Sequence, residues 1–316
     1  MNEKNLVICD PELRYANILA ENFSKREELA VKVYVCSCME KVLEFKRQKE
    51  VHILLIDEGF SRDDRCEVGA EHTFVLGRGR VHEVRKEEFS IRKYQCADQI
   101  IAEVFGTYVD QTHDDILRGG KKRGCKLVAV YSPIHRIGKT KFAVELGKAI
   151  AEKKKVLYLN LEENPGLPEE MWQEKTLGDV LYYLRQGMPN LAVRIQSFVK
   201  KTSNMDYLSP ILMTLDLKET TLTEWKELLN QLIESDMYDR IILDVGESTQ
   251  GLCQLLDACD RISMPILEDD VSRRKIEHFD KNIEKLNLQN IGRNTYRFVM
   301  PERIEEYAKK RAKEEL

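Results

Sequence analysis

The stretch from Gly124 to Lys141, GCKLVAVYSPIHRIGKTK, constrains the fold of this chain more than any other. Lys126–Tyr131 reads as a buried strand, and Phe142, Ala143, Leu146, Ala149 and Ile150 then recur at helical spacing. Between the two stands Gly138-Lys139-Thr140. A strand, a turn and a helix in that order aim backbone N–H groups at an anion, with a lysine and a hydroxyl beside them, which is the donor set a phosphate needs. Arg136, Ile137, Gly138, Lys139, Thr140 and Lys141 are therefore the candidate phosphate-contacting residues, and the Thr140 hydroxyl is a candidate Mg²⁺ ligand. The usual pattern has a further glycine five residues before Gly138, where this chain has Pro133. Because a bare Gly-Lys-Thr is common by chance, its weight here comes from its place between strand and helix. Lys155–Leu161 reads as the next strand, completing a βαβ unit.

Downstream, Tyr238–Gly246 (YDRIILDVG) is an apolar strand ending in Asp244, with a glycine two residues on. A carboxylate at that place orients Mg²⁺, usually through water, so Asp244 joins Thr140 as a metal candidate. Glu162 opens the loop after Leu161, at the C-terminal edge of the sheet. Thr176–Leu184 opens a helix, and Leu222–Glu234 is an amphipathic helix with a core-facing stripe. Arg261–Ile266 and Thr295–Met300 read as strands, with a helix from Ser272 to Leu286 between them. Pro301–Leu316 is strongly charged, and Ile304, Tyr307 and Ala308 give it only a narrow apolar stripe.

The first 117 residues show a separate alternation. Asn5–Cys9, Leu29–Cys36, Val51–Ile56, Thr73–Leu76 and Phe89–Arg92 read as strands. Glu12–Phe23, Met39–Phe45 and Ala97–Val109 read as helices. Such alternation implies a parallel sheet whose strand ends share one crevice. Asp10, Asp57 and Lys93 all follow strands and belong at that crevice, with Glu12 close by. The basic, glycine-rich run Arg118–Gly124 (RGGKKRG) reads as a linker. The expected organisation is thus a domain at 1–117, a linker at 118–124 and a domain at 125–316.

Composition bounds the possibilities. At 316 residues the length suits two ordinary domains, and a net charge of −4 predicts no strong nucleic-acid or membrane field. The chain has no apolar run of membrane-spanning length, and its start lacks a signal-peptide core. The eight cysteines show no C-x-x-C spacing, which argues against metal ligation and suits a reducing cytoplasm.

Two resemblances rest on these residues. The acid, acid and lysine at Asp10, Asp57 and Lys93 resemble a response-regulator receiver domain, which implies a phosphoryl-acceptor position at Asp57 and acid positions at Asp10 and Glu12. The family's second acid is Pro11 here, and its switch hydroxyl aligns with Gly77, so a receiver-shaped binding module is expected ahead of a working phospho-switch. From Lys126 onward, KLVAVYSPIHRIGKTKFAVELGKAIA, KKVLYLNLEENPG, TLGDVLYYL and YDRIILDVGES are similar to the MinD/ParA branch of P-loop ATPases. A receiver-like domain ahead of such an ATPase resembles the CpaE/TadZ family, which localises and assembles Flp/Tad (type IV-like) pilus machinery. The resemblance implies an α/β protein with two parallel sheets, one receiver-like (flavodoxin-like) and one MinD/ParA-like. It also implies ATP and Mg²⁺ as ligands, a homodimer, other pilus assembly proteins as partners, and a cytoplasmic protein recruited to a cell pole or the inner face of the membrane. The family's signature lysine aligns with Ile134, its glycines with His135 and Arg136, and one of its acids with Asn160. Loss of a transition-state cation of this kind removes roughly 10³–10⁵ in rate, so weak or absent hydrolysis is expected, with Lys139 and Glu162 as the remaining catalytic candidates. Three other readings stay open: a partitioning-type ATPase, a response regulator phosphorylated at Asp57, and an interaction scaffold with a degenerate nucleotide site.

Overall fold

A computed structural model describes residues 3–26, 29–79, 88–112, 124–187, 191–202 and 205–315. The chain forms two compact units, Met1–Gly120 and Lys121–Leu316. Residues 118–123 of the expected linker lie outside the described residues.

The first unit contains β1 (Lys4–Cys9), α1 (Leu13–Ser24), β2 (Val31–Cys36), α2 (Met39–Gln48) and β3 (Ile53–Asp57). It continues with α3 (Arg62–Val68), β4 (His72–Gly77), β5 (Glu88–Arg92) and α4 (Ala97–Thr112). The strands lie in the order β2-β1-β3-β4-β5, every pair parallel, which is the flavodoxin-like order. Helices cover both faces, so the central strands are apolar without alternation: Leu6–Cys9 and Ile53–Ile56 are fully buried. Periodicity did not predict α3, because RDDRCEV has almost no apolar stripe. Its ends hold it instead. Ser61 and Asp64 form a reciprocal capping box, and Gly69 closes the helix in the left-handed region at φ 57°.

The second unit begins with β6 (Lys126–Val130), α5 (Lys139–Ala151), β7 (Val156–Leu161), α6 (Leu177–Arg185) and α7 (Leu191–Phe198). There follow β8 (Lys200–Thr202), β9 (Met205–Tyr207), α8 (Thr214–Glu219), α9 (Leu222–Glu234) and β10 (Arg240–Val245). The chain then runs through α10 (Leu252–Asp257), β11 (Arg261–Ile266), α11 (Asp270–Leu286), α12 (Gln289–Asn294), β12 (Thr295–Val299) and α13 (Ile304–Glu315). The sheet order is β12-β11-β6-β10-β7-β9-β8. An all-parallel sheet was expected, but β8 pairs antiparallel with β9 as an edge hairpin, so the sheet is mixed at that edge. Strands of three residues in a polar segment leave no period to read.

The insertion of β10 between β6 and β7 positions the site. It brings the turn after β6, the loop after β7 and the end of β10 to one sheet edge. Beneath them Val128, Phe142, Leu146, Ile150, Tyr158, Ile242 and Phe298 form the core. The charged C-terminal segment is the helix α13, docked along α5. Ala308 and Ala312 are buried, and small side chains let the two helices approach closely. Tyr307 adds aromatic contacts to Phe298 at 5.0 Å and to Phe142 at 6.2 Å.

Candidate functional site

In the second unit the loop between β6 and α5 turns its two isoleucines inward and its polar residues outward. Ile134 and Ile137 are buried, whereas His135 and Arg136 are exposed. Gly138 caps α5 at φ 83°, the left-handed conformation that glycine adopts without strain. Arg136, at φ 59°, holds the same region at a cost of about 1 kcal/mol. The loop walls a cavity of about 610 Å³. Arg136, Ile137, Gly138, Lys139, Thr140 and Lys141 all line it, as does Glu162. Ile137 can contribute only backbone there, because its side chain faces the core.

Lys139 reaches back across the strand ends. Its ammonium donates to the Val245 carbonyl and pairs with Glu162, and it lies 3.8 Å from Asp244 Oδ1. The Tyr131 ring stands 5.9 Å away. Asp244 is completely buried at the end of β10. Its Oδ2 accepts hydrogen bonds from the Tyr158 hydroxyl and from Asn160 Nδ2, both at 3.0 Å. Asn160 also donates to the Tyr158 oxygen at 2.9 Å, and its own carbonyl accepts the Glu162 N–H at 3.0 Å. Asn160 thus ties the β10 carboxylate to the loop that carries Glu162. Sequence reading treated Asn160 only as a lost acid. Its role follows from register, since Asn160 lies opposite Asp244 and two residues along the strand from Tyr158.

The other oxygen of Asp244, Oδ1, is buried and has no hydrogen-bond partner. Burial pushes the Asp244 carboxyl up to about 6, against the opposing effects of Lys139 and the Thr140 hydroxyl. A buried, under-satisfied carboxylate oxygen beside a lysine, a threonine hydroxyl and a helix N-terminus fits a hydrated divalent cation carried by a phosphate chain. Gly246 lets the strands close on this point. A Cβ there would stand 2.7 Å from the Leu161 carbonyl oxygen and 3.0 Å from Glu162 Cα. Across the mouth, His135 Nε2 lies 3.2 Å from the Glu247 carboxylate and joins the loop to the segment after β10.

The first unit brings its four expected residues together. Lys93 is buried, with its ammonium 2.6 Å from Asp57 Oδ2, 2.8 Å from Asp10 Oδ2 and 3.2 Å from Glu12 Oε1. Burial favours the neutral amine, but the hydrogen bonds that the ammonium donates to Asp10, Asp57 and Glu12 outweigh it and hold it charged. Asp57 Oδ1 accepts the Gly59 N–H at 2.9 Å, so both Asp57 oxygens are engaged. Glu12 is further held by the Tyr94 hydroxyl at 2.5 Å and by Arg78 at 3.3 Å. The cluster is a cross-linked lid on the strand ends. All eight cysteines are free thiols, and among the described residues no group of three His, Cys, Asp or Glu side chains is placed to hold a metal. Among the described residues no helix is long and apolar enough to cross a membrane.

No protein-family model matches the sequence, and no curated protein matches it. Solved structures do. The chain is similar to a ParA family ATPase from Chlorobium tepidum at 14% identity, over 59% of this chain and 90% of that one, with a TM-score of 0.41. It is similar to a plasmid partition protein from Borrelia burgdorferi at 17% identity, over 58% and 82%, with a TM-score of 0.43. It is also similar to a cobyrinic acid a,c-diamide synthase from Mycobacterium smegmatis, solved with an ATP analogue and magnesium, at 17% identity, over 55% and 72%, with a TM-score of 0.42. At such values the residues of the site, not the likeness, must carry the function.

Proposed function

We propose that the second unit binds Mg·ATP and acts as a nucleotide-dependent switch with weak or absent hydrolysis. The observation that carries this reading is Asp244 Oδ1, a buried carboxylate oxygen without a hydrogen-bond partner, behind Lys139 and Thr140 at the start of α5. The N–H groups from Ile137 to Lys141 would cradle the phosphates, Lys139 would contact the outer ones, and Thr140 with Asp244 would hold the metal. Bound Mg²⁺ would neutralise phosphate charge. Lys139 must then exchange Glu162 and the Val245 carbonyl for phosphate oxygens, which frees Glu162 to orient a water. Slow turnover follows from the residues themselves. Ile134 is buried and supplies no cation, and the Asn160 amide is committed to Asp244 and Glu162. Arg136 is an exposed cation lining the cavity and the nearest substitute.

The finer reading is a dimerising localisation and assembly factor for Flp/Tad pilus machinery, working in the cytoplasm with other pilus assembly proteins. It draws on the order of two such units in one chain. Within it the first unit serves as a binding module rather than a phosphoryl acceptor, because Lys93 and the Gly59 N–H already engage both Asp57 oxygens. Calorimetric titration with ATP and Mg²⁺ tests the core of the proposal. The native protein should bind with micromolar affinity, and Lys139→Ala should weaken binding at least about 30-fold, the loss of one buried charge-assisted contact. No binding by a folded native protein would leave an interaction scaffold on a nucleotide fold.

A further inference from the structure

A second cavity, of about 640 Å³, adjoins the phosphate cavity and is separated from it by the His135–Glu247 contact. Its outer wall is one face of α11. Val271, Arg274, Lys275, His278, Phe279 and Asn282 recur at helical spacing and all line it. Its floor is aromatic and apolar: the Tyr131 and Phe279 rings lie 5.3 Å apart, with Pro133 and Leu252 beside them.

Its polar groups are mostly donors. Arg274 and Lys275 form no ion pair or hydrogen bond among the described residues, whereas their neighbour Arg273 is paired with Asp270. The lining carboxylate, Glu247, is already held by His135. Tyr131 is only 3% exposed and lines the space beside Glu247 and Cys253. The space thus combines an aromatic, apolar floor with uncompensated cations at its rim. Small-molecule sites have this make-up and this volume.

We infer that this cavity binds a small organic anion with a flat apolar body, a carboxylate, sulfonate or phosphate carried on an aromatic frame. The body would lie on Tyr131 and Phe279, and the anionic group would meet Arg274 and Lys275. The phosphate cavity is not needed for this. Its lysine, Lys139, does not line the second space, although the two cavities share one wall.

The fluorescent aryl sulfonate 8-anilinonaphthalene-1-sulfonate is a direct probe. Titration into the full chain should give a saturable rise of one dye per chain. Arg274→Ala with Lys275→Ala should raise the dye Kd at least about tenfold, since two charge-assisted contacts are lost. Both residues are exposed, so the melting temperature should not change. The uncharged analogue N-phenyl-1-naphthylamine should bind at least about tenfold more weakly, and Lys139→Ala should leave the dye Kd within about twofold. Unsaturable binding, or binding equally strong in the Arg274/Lys275 variant, would mean adsorption to exposed apolar surface and would overturn the assignment. Loss of dye in Lys139→Ala alone would place it in the phosphate cavity, with the same consequence.

Discussion

Asp244 carries the sharpest electrostatic conflict in the second unit. It is fully buried, one of its oxygens lacks a hydrogen bond, and burial raises its carboxyl from 3.8 to about 6. Near neutral pH the carboxylate is still charged, so the nucleotide-free fold bears a penalty that a bound cation would relieve. A rise of that size corresponds to about 3 kcal/mol against the charged form. Asp244→Asn keeps an oxygen for the Tyr158 and Asn160 donors and removes the charge. The substitution should stabilise the ligand-free protein by about 1–3 kcal/mol at pH 7, read as a higher melting temperature. It should also abolish the Mg²⁺ dependence of ATP binding, read by titration with and without chelator. A variant that melts lower and still shows Mg²⁺-dependent binding would remove Asp244 from the metal site. Lys139, Thr140 and Asp244 were legible from spacing alone, because strand, turn and helix dictate where they stand. Asn160 and Tyr158 were not, because they meet Asp244 only through the register of two strands more than eighty residues apart.

Apolar runs and helical periods marked most elements to within a few residues, including each strand that ends at a site. The exceptions have physical causes: α3 and the β8–β9 hairpin are held by hydrogen-bonded ends and edge pairing rather than by apolar periodicity, and α7, α8, α10 and α12, of six to eight residues each, are too short to show a helical period. The S-x-x-D of Ser61–Asp64 was a readable signal for α3. The stripe on α13 was visible as well, but its partner was not, since the docking of α13 on α5 depends on where β12 lies. The most demanding contact between elements is at Gly246, where the end of β10 meets the loop after β7 at backbone distance. The atoms in the way are a carbonyl oxygen and an α-carbon, which cannot swing aside as a side chain can. Gly246→Ala should therefore part the two strand ends and move Glu162 and Asn160 with them. The expected outcome is a loss of about 1–3 kcal/mol in stability by denaturant titration, together with at least about tenfold weaker ATP binding. Wild-type affinity in this variant would show that the site does not depend on closure of these strand ends.

At the scale of the molecule, each unit has its own sheet and its own core, and in each a lysine meets carboxylates at the strand ends. The two lysines are held differently. Lys93 has three carboxylate partners, and both Asp57 oxygens are engaged. Lys139 shares its charge with Glu162 and a carbonyl, and Asp244 Oδ1 beside it lacks a hydrogen bond, where the proposed cation would sit. All the residues proposed to hold Mg·ATP lie within Lys121–Leu316, and that unit alone should respond to it. A ligand at about 100 times its Kd stabilises the form that binds it by about 2.7 kcal/mol. For a unit of this size, that is a rise of about 5–10 °C in melting temperature. Scanning calorimetry of residues 121–316 with Mg·ATP should show that rise, whereas residues 1–120 should melt at the same temperature with or without the nucleotide. A shift seen in the full chain but absent from 121–316 would mean that the first unit supplies part of the site, and the cavity behind Lys139 would then be incomplete as drawn.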